Sequence, residues 1–297
     1  MTNNSYLPLG WIARHAAVAR RDIQRVAGRL RHASLPGIPL NVARAIILHW
    51  RDKPTRTVPE RPERLIVSLT TVPERSRRIL PALRSLLDQT CPADGIVLAW
   101  PDRSLRTGLP YFEPPELPDG VRLLHCEDEG PVSKLLPALR LEPTAAIIVV
   151  DDDVVYPNDF IENLLAAHRV NPRAALGWRG WQLAQDSDPR DFKHVFATGV
   201  ETLTPVDVLL GTWGYLIPPK VFDEAIFDLD AFPAELRWVD DVWVSGNLAR
   251  RGIQRLVVPA KSFPIETRAA FVAALTDTMN RSGRNDVVAI EAFKAWW

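Results

Sequence analysis

The stretch AAIIVVDDDVVYP, residues 145–157, decides the fold class. Its first six residues are an uninterrupted apolar run. Continuous rather than alternating apolar residues indicate a strand covered on both faces, as in a parallel sheet flanked by helices. The three consecutive carboxylates Asp151, Asp152 and Asp153 stand where that strand leaves the sheet. Like charges placed together cost free energy unless a cation or hydrogen-bond donors compensate them. Hard oxygen donors of this kind suit Mg²⁺ or Mn²⁺, which also bind substrate phosphates. The alternative is a solvated acidic turn capping a helix that starts near Pro157.

Working outward, strand and helix patterns alternate. RLIVSLT (64–70), GIVLAW (95–100) and VRLLHC (121–126) read as strands, with a Pro-rich loop between the last two. Helices are expected over Arg75–Leu87 and Pro131–Arg140. Such alternation predicts an α/β sandwich with a mostly parallel sheet, whose ligands bind beyond the carboxyl ends of the strands. After residue 170 the pattern loosens into short strands, with helices expected near 219–226, 239–251 and 284–296.

The 297 residues carry 36 basic and 36 acidic side chains. The neutral total argues against a nucleic-acid partner, but it is unevenly spread. Residues 1–56 hold nine Arg and Lys53 against Asp22 and Asp52, a net +8, so residues 57–297 carry −8. From Ile12 to Leu30, apolar residues three and four apart draw one helical stripe with Arg14, Arg21 and Arg25 off it, and a second helical piece is expected near 40–50. A basic amphipathic helix can lie on an anionic membrane surface; docking on the chain's own core or a second copy is the alternative. The Pro- and charge-rich residues 57–63 form a linker, and the main domain is expected from 64 to 297. Cys91 and Cys126 have neither metal-ligand spacing nor the number of a disulfide framework. No apolar run approaches a spanning helix and no signal-peptide pattern is evident, so a cytoplasmic, at most peripheral, location is expected.

A second acidic pair lies in LRWVDDVWVSGNLARRGI. Asp240 and Asp241 open a helix, where the helix dipole alone favours acidic residues. Facing the same cleft, one of them could take a proton from an attacking hydroxyl. Lys134, in EDEGPVSKLLPAL, either neutralises a phosphate beside a helix start or is a solvated surface charge. WRGW (178–181) and GTWGY (211–215) put aromatic rings and glycines in loops. Trp181, Trp213 and Gly214 are therefore candidates for sugar contact, and Arg179 for donor or acceptor contact.

The order of strand, TTVPERSRRI, SLLDQT, VVDDDVVYP and WVDDVWVSGNLARRGI resembles the GT-A type of nucleotide-sugar glycosyltransferase. It looks closest to bacterial family-2-like members that build surface polysaccharides, over residues 64–297. The resemblance implies a Rossmann-like nucleotide-binding half (about 64–155), an acceptor-binding half (about 156–297) and a divalent metal between them. It implies a nucleotide-sugar donor, UDP-linked, and a carbohydrate or lipid-linked acceptor. By position, Asp151 would face ribose and uracil, Asp153 would ligate the metal, with Asp151 a second candidate ligand, and Asp152 would serve either role. Thr70, Thr71, Pro73 and Arg75 match the loop that holds base and ribose. Asp241, or else Asp240, would be the base of an inverting enzyme, or would stabilise positive charge on the sugar in a retaining one. The chain departs from the pattern in having no His after His194; Arg281 and Arg284 are candidates for charge on the leaving diphosphate. Two rival readings are a non-catalytic scaffold of the same fold and a haloacid dehalogenase-type phosphohydrolase, whose motif DDDVV fits with Asp151 as nucleophile and Asp153 as acid. A nucleotidyltransferase is disfavoured, because TTVPERS lacks phosphate-cradling glycines.

Overall fold

In a computed structural model of the chain, the described residues are 37–50, 57–184, 192–272 and 283–297. The expected helix over Ile12–Leu30 and the candidate Arg281 lie outside them.

The apolar runs become the centre of one large sheet. β1 (Leu65–Thr70), β2 (Gly95–Pro101) and β4 (Ala146–Val149) are buried almost throughout, whereas β3 (Val121–Cys126), at the sheet's edge, is only partly covered. Together with β6 (Ala175–Gly177), β9 (Thr204–Pro205), β11 (Tyr215–Ile217) and β12 (Arg255–Val257), they form an eight-stranded sheet in the order β3-β2-β1-β4-β11-β6-β12-β9. β1 to β4 are mutually parallel, β11 runs against both β4 and β6, β12 is parallel to β6, and β9 opposes β12. The sheet is thus mostly parallel. Two smaller antiparallel sheets flank it. β7 (Arg179–Leu183) lies between β10 (Val208–Leu209) and β8 (Phe192–Phe196), and β5 (Val154–Val155) pairs with β13 (Ile265–Glu266).

Prolines set where the helices begin. The expected helix from Arg75 is a 3-10 turn over Ser76–Arg78 followed by an α-helix over Leu80–Leu87, with Pro81 in its first turn. Likewise Pro131–Lys134 is a 3-10 turn, and the α-helix Leu136–Leu141 begins around Pro137. Proline lacks the amide that would continue the preceding turn, but it is tolerated where a helix starts. The helix expected near 219–226 is replaced by a 3-10 turn over Glu224–Phe227. Pro218 and Pro219 precede it, and Lys220 adopts a left-handed backbone with φ +59°.

Part of the N-terminal extension belongs to the folded body. We number the α-helices α1 (Gly37–Trp50), α2 (Leu80–Leu87), α3 (Leu136–Leu141), α4 (Phe160–Val170), α5 (Asp240–Arg250) and α6 (Arg284–Ala292). Leu48 of α1 is fully buried, and Arg44 pairs with Asp88 at 2.8 Å while donating to backbone carbonyls of Ser85, Asp88 and Tyr156. On the far side, α5 lets α6 approach through Gly246, where any Cβ would stand 2.3 Å from the Phe293 ring.

Candidate functional site

The fold gives the three adjacent carboxylates different surroundings. Val150 still donates to the Ser68 carbonyl at 3.1 Å, extending the β1–β4 pairing to the residue before the acidic run. Asp152 then points inward and is 3% exposed. It accepts from Thr71 Oγ1 at 2.5 Å and pairs with Arg75 Nη1 at 3.2 Å. The side chains of Asp151 and Asp153, on either side of it in sequence, keep 25% and 17% exposure. Arg75 Nη1 also pairs with Asp153. Burial opposes the charge of Arg75, but Asp152, Asp153 and Asp151 hold its pKa above the usual value. Burial, then Asp152 and Asp151, push the Asp153 carboxyl up to about 7, and burial raises Asp152 as well.

Lys134 joins this strand end to α5. Gly130, at φ +83°, turns the chain into the 131–134 turn, passing so close to Arg237 that a Cβ would meet its carbonyl oxygen at 2.9 Å. Lys134 at the end of the turn is 8% exposed. Its Nζ lies 2.9 Å from Asp151 Oδ1 and 2.9 Å from Asp240 Oδ2, the second an ion-pair contact rather than an aligned hydrogen bond. Desolvation works against that charge, yet Asp151, Asp240 and Asp241 raise its pKa well above normal. Asp241 is held differently: its Oδ1 accepts the Gly211 backbone N–H at 2.8 Å. Burial, then the neighbouring Asp240, push the Asp241 carboxyl up to about 8. A side chain at Gly211 would have to displace Lys134, because a Cβ there would lie 2.5 Å from its Nζ.

The two acidic motifs thus meet through Lys134, which lies between Asp151 and Asp240, while Arg75 pairs with Asp152 and Asp153 of the first motif. Thr71, Arg75, Lys134, Asp151, Asp152, Asp153, Asp240 and Asp241 are brought together. Thr70 is turned into the sheet, donating to the Ala99 carbonyl at 3.0 Å, and Pro73 is buried where its carbonyl accepts from Ser76 Oγ. Lys134, expected as a phosphate contact or a surface charge, is a buried bridge between carboxylates.

The aromatic candidates divide. Trp213 is 1% exposed, packed between Phe196 and Phe263 at ring-centroid distances of 5.2 and 5.9 Å, so its ring offers no open face; this corrects the expectation of a sugar platform. Gly214 is likewise accounted for by packing, since its φ is +78° and a Cβ would stand 2.6 Å from the Phe160 ring. Trp181 remains half-buried, stacked on Phe192 at 4.2 Å. Arg179 is buried, with its guanidinium 5.1 Å from the centre of the Phe196 ring. Arg284 lies on the exterior within 3.9 Å of Glu235.

Several residues around these carboxylates were not named as candidates from the sequence, although Gly211 and Tyr215 lie in GTWGY and Tyr156 in VVDDDVVYP. Gly211 acts through its amide and its lack of a side chain. The Tyr111 hydroxyl donates to the Thr71 carbonyl at 2.7 Å from the Pro-rich loop. Tyr156 Oη accepts the Asp151 amide at 2.9 Å. The buried Tyr215 hydroxyl sits in the field of Lys134, Asp240 and Asp241, with no hydrogen-bond partner among the described residues. Among the described residues no three His, Cys, Asp or Glu side chains form a ready-made metal cage.

No protein-family model matches the chain, and no curated protein matches it in sequence. Solved structures do match in fold. A mannosyltransferase from Pyrobaculum calidifontis, in complex with GDP-Man and Mn²⁺, aligns with TM-score 0.49 and 16% identity over 87% of this chain and 73% of its own. TarS of S. aureus, residues 1–349 in complex with UDP, aligns with TM-score 0.46 and 16% identity over 69% of this chain and 60% of its own. GalNAc-T7, with UDP, GalNAc and Mn²⁺, aligns with TM-score 0.51 and 12% identity over 92% of this chain. The chain spans 56% of that GalNAc-T7 structure, a little over half its length. The mostly parallel central sheet therefore has the GT-A fold.

Proposed function

We propose that the chain is a glycosyltransferase that moves a sugar from a nucleoside diphosphate donor, UDP-linked, to a hydroxyl of a carbohydrate or lipid-linked acceptor. The observation carrying this reading is the Lys134 bridge, which sets the Asp151–Asp153 end of β4 and the Asp240–Asp241 start of α5 on one cleft. Ligands of open α/β sheets bind beyond the carboxyl ends of the strands, where these groups stand.

A divalent ion fits the residues present. Asp151 and Asp153 supply hard oxygens, the cluster pushes Asp153 up to about 7, and two carboxylates plus substrate phosphate and water are an ordinary set for Mg²⁺ or Mn²⁺. Bound there, the ion would offset charge on the departing diphosphate. The chain's own residues do the rest. Thr71 and Arg75 fix Asp152 so that its neighbours face outward. Lys134 neutralises Asp240, while Asp241 stays strongly basic with Oδ1 held by Gly211. Asp241 is thereby the better base to take the acceptor hydroxyl's proton in an inverting reaction, or the group that stabilises positive charge on the sugar in a retaining one.

The same reading places the enzyme peripherally on an anionic membrane through its basic N-terminal region. No helix among the described residues is long and apolar enough to cross a membrane. Because α1 packs on the body, liposome flotation should compare the full chain with one lacking residues 1–36, leaving α1 in place. Salt-sensitive flotation of the full chain alone is expected; equal flotation of both would sink the membrane assignment.

The donor site is tested by calorimetric titration of UDP, GDP and CDP with and without Mn²⁺. UDP binding that needs Mn²⁺ and is lost in Asp153→Asn is expected. A folded protein that binds none of the three would overturn the reading.

A further inference from the structure

α1 packs on the body through one face. Arg44 and Leu48 stand four residues apart, one turn from each other on the same side of the helix. Leu48 is fully buried, and its carbonyl accepts from Arg84 Nη1 of α2 at 3.3 Å. The Arg44 guanidinium, with 12% of its side chain exposed, spreads over acceptors from two parts of the fold. Its Nε donates to Asp88 Oδ2 at 2.8 Å, and its Nη2 to the carbonyls of Asp88 and Ser85 at 3.1 and 3.2 Å. Those carbonyls lie at the C-terminal end of α2, where a helix leaves acceptors without intrahelical donors and favours a cation. The remaining arm, Nη1, leaves α2 and donates to the Tyr156 carbonyl, just beyond β5.

Tyr156 carries this contact to the acidic run. Its backbone is held on both sides, since its amide donates to Ser85 Oγ at 3.0 Å while its carbonyl takes Arg44. Gln89 holds the next residue, donating to the Pro157 carbonyl at 2.8 Å. The Tyr156 side chain is fully buried, its ring 4.7 Å from that of Phe160. From there its hydroxyl reaches back to accept the Asp151 amide at 2.9 Å. A close-packed ring fixed at its backbone passes a displacement of residue 156 on to residue 151. Asp151 in turn meets Lys134 Nζ at 2.9 Å.

We infer that Arg44 is a positioning residue of the donor site, acting through Tyr156 to fix the backbone of Asp151. The assignment rests on the glycosyltransferase reading, and it gives the segment before the linker a part in donor binding. The planar fork of arginine spans the end of α2 and the Tyr156 carbonyl at once. A lysine ammonium would keep the charge for Asp88 without that span.

The test uses the full-length protein and three variants: Arg44→Lys, Tyr156→Phe and the two together. Hydrogen exchange of the Asp151 amide, resolved by NMR without nucleotide, reads the strut itself. Calorimetric titration of UDP with Mn²⁺ reads the donor site. Each single variant should speed exchange at Asp151 by about ten-fold while the amides of β1 and β2 stay protected, as the loss of one hydrogen bond implies. Each should weaken UDP binding by about ten-fold, the usual consequence of losing a group that orients a ligand. The double variant should be no worse than Tyr156→Phe, because both substitutions break the same chain of contacts. A purely structural Arg44 would lower Tm and move neither readout. Arg44→Lys with wild-type exchange at Asp151 or wild-type UDP affinity therefore overturns the assignment, and so do effects that add in the double variant. Wild type that binds no nucleotide is a separate result: it overturns the donor site itself, and the part of Arg44 in it.

Discussion

Lys134 Nζ stands 2.9 Å from Asp240 Oδ2, tying the turn before α3 to the first residue of α5 across 106 positions of sequence. Both side chains are about nine-tenths buried, with 10% exposure each. The same ammonium is 2.9 Å from Asp151 Oδ1, so one cation serves a carboxylate from each of the two acidic motifs. A buried charge is tolerable only when paired, and here each partner depends on the other two.

Lys134→Met should therefore be severe, because it leaves Asp151 and Asp240 without their cation. Breaking a buried pair from one side costs about 3–5 kcal/mol. Adding Asp240→Asn to Lys134→Met should restore part of that stability, since an amide needs no counter-charge. Urea unfolding of the two single variants and the double measures the coupling; additive effects would show that the bridge is not an energetic unit.

Gly211→Ala tests the same bridge without removing a charge. The added Cβ would meet Lys134 Nζ at 2.5 Å and Asp241 Oδ1 at 3.2 Å, so the ammonium must leave its place between the carboxylates. The expected cost is about 1–3 kcal/mol of overpacking. Sugar transfer should fall in kcat while the fold persists by circular dichroism, and a variant with wild-type turnover would show that Lys134 has room to spare.

The strands up to the acidic run were legible because β1, β2 and β4 are largely apolar blocks bounded by turn signals. β3 ends where expected, at Cys126, and α5 runs over Asp240–Arg250 within the expected 239–251. What could not be read depends on tertiary neighbours. Nothing local announces that β11 inserts antiparallel between β4 and β6, since YLI is too short to carry direction. The same holds within the site. Composition alone does not tell the three carboxylates of DDD apart, and the contacts of Thr71 and Arg75 set Asp152 aside from its neighbours. Trp213 has the composition of a sugar platform, but Phe196 and Phe263 enclose it.

Gly246→Val is a probe of the fold away from the cleft. Its new side chain would press into Phe293, which also stacks on Phe232 at 5.1 Å and anchors the C-terminal end of α6. Overpacking of this kind costs about 1–3 kcal/mol, so Tm should drop while UDP affinity at low temperature is retained. An unchanged Tm would mean that α6 is free to move aside.

Asp241→Asn should abolish transfer and yet stabilise the ligand-free protein at alkaline pH. The folded carboxyl titrates at about 8, raised by burial and by Asp240, against about 4 for an unfolded aspartate. Between those values the folded state binds more protons than the unfolded one, so stability falls as pH rises and levels off above the folded pKa. Asn keeps an oxygen for the Gly211 amide but carries no charge, so the variant should lose this pH slope. Wild type and variant should melt alike near pH 4 and diverge by about a few degrees near pH 8.5, the variant higher. Wild-type kcat/KM should rise with pH and level off above about 8, because the acceptor's proton can be taken only by the carboxylate. Thermal melts of both proteins across that range, beside the wild-type rate profile, check the two halves together. A profile already level at pH 6, or a variant that melts below wild type at pH 8.5, would remove Asp241 from the role of base.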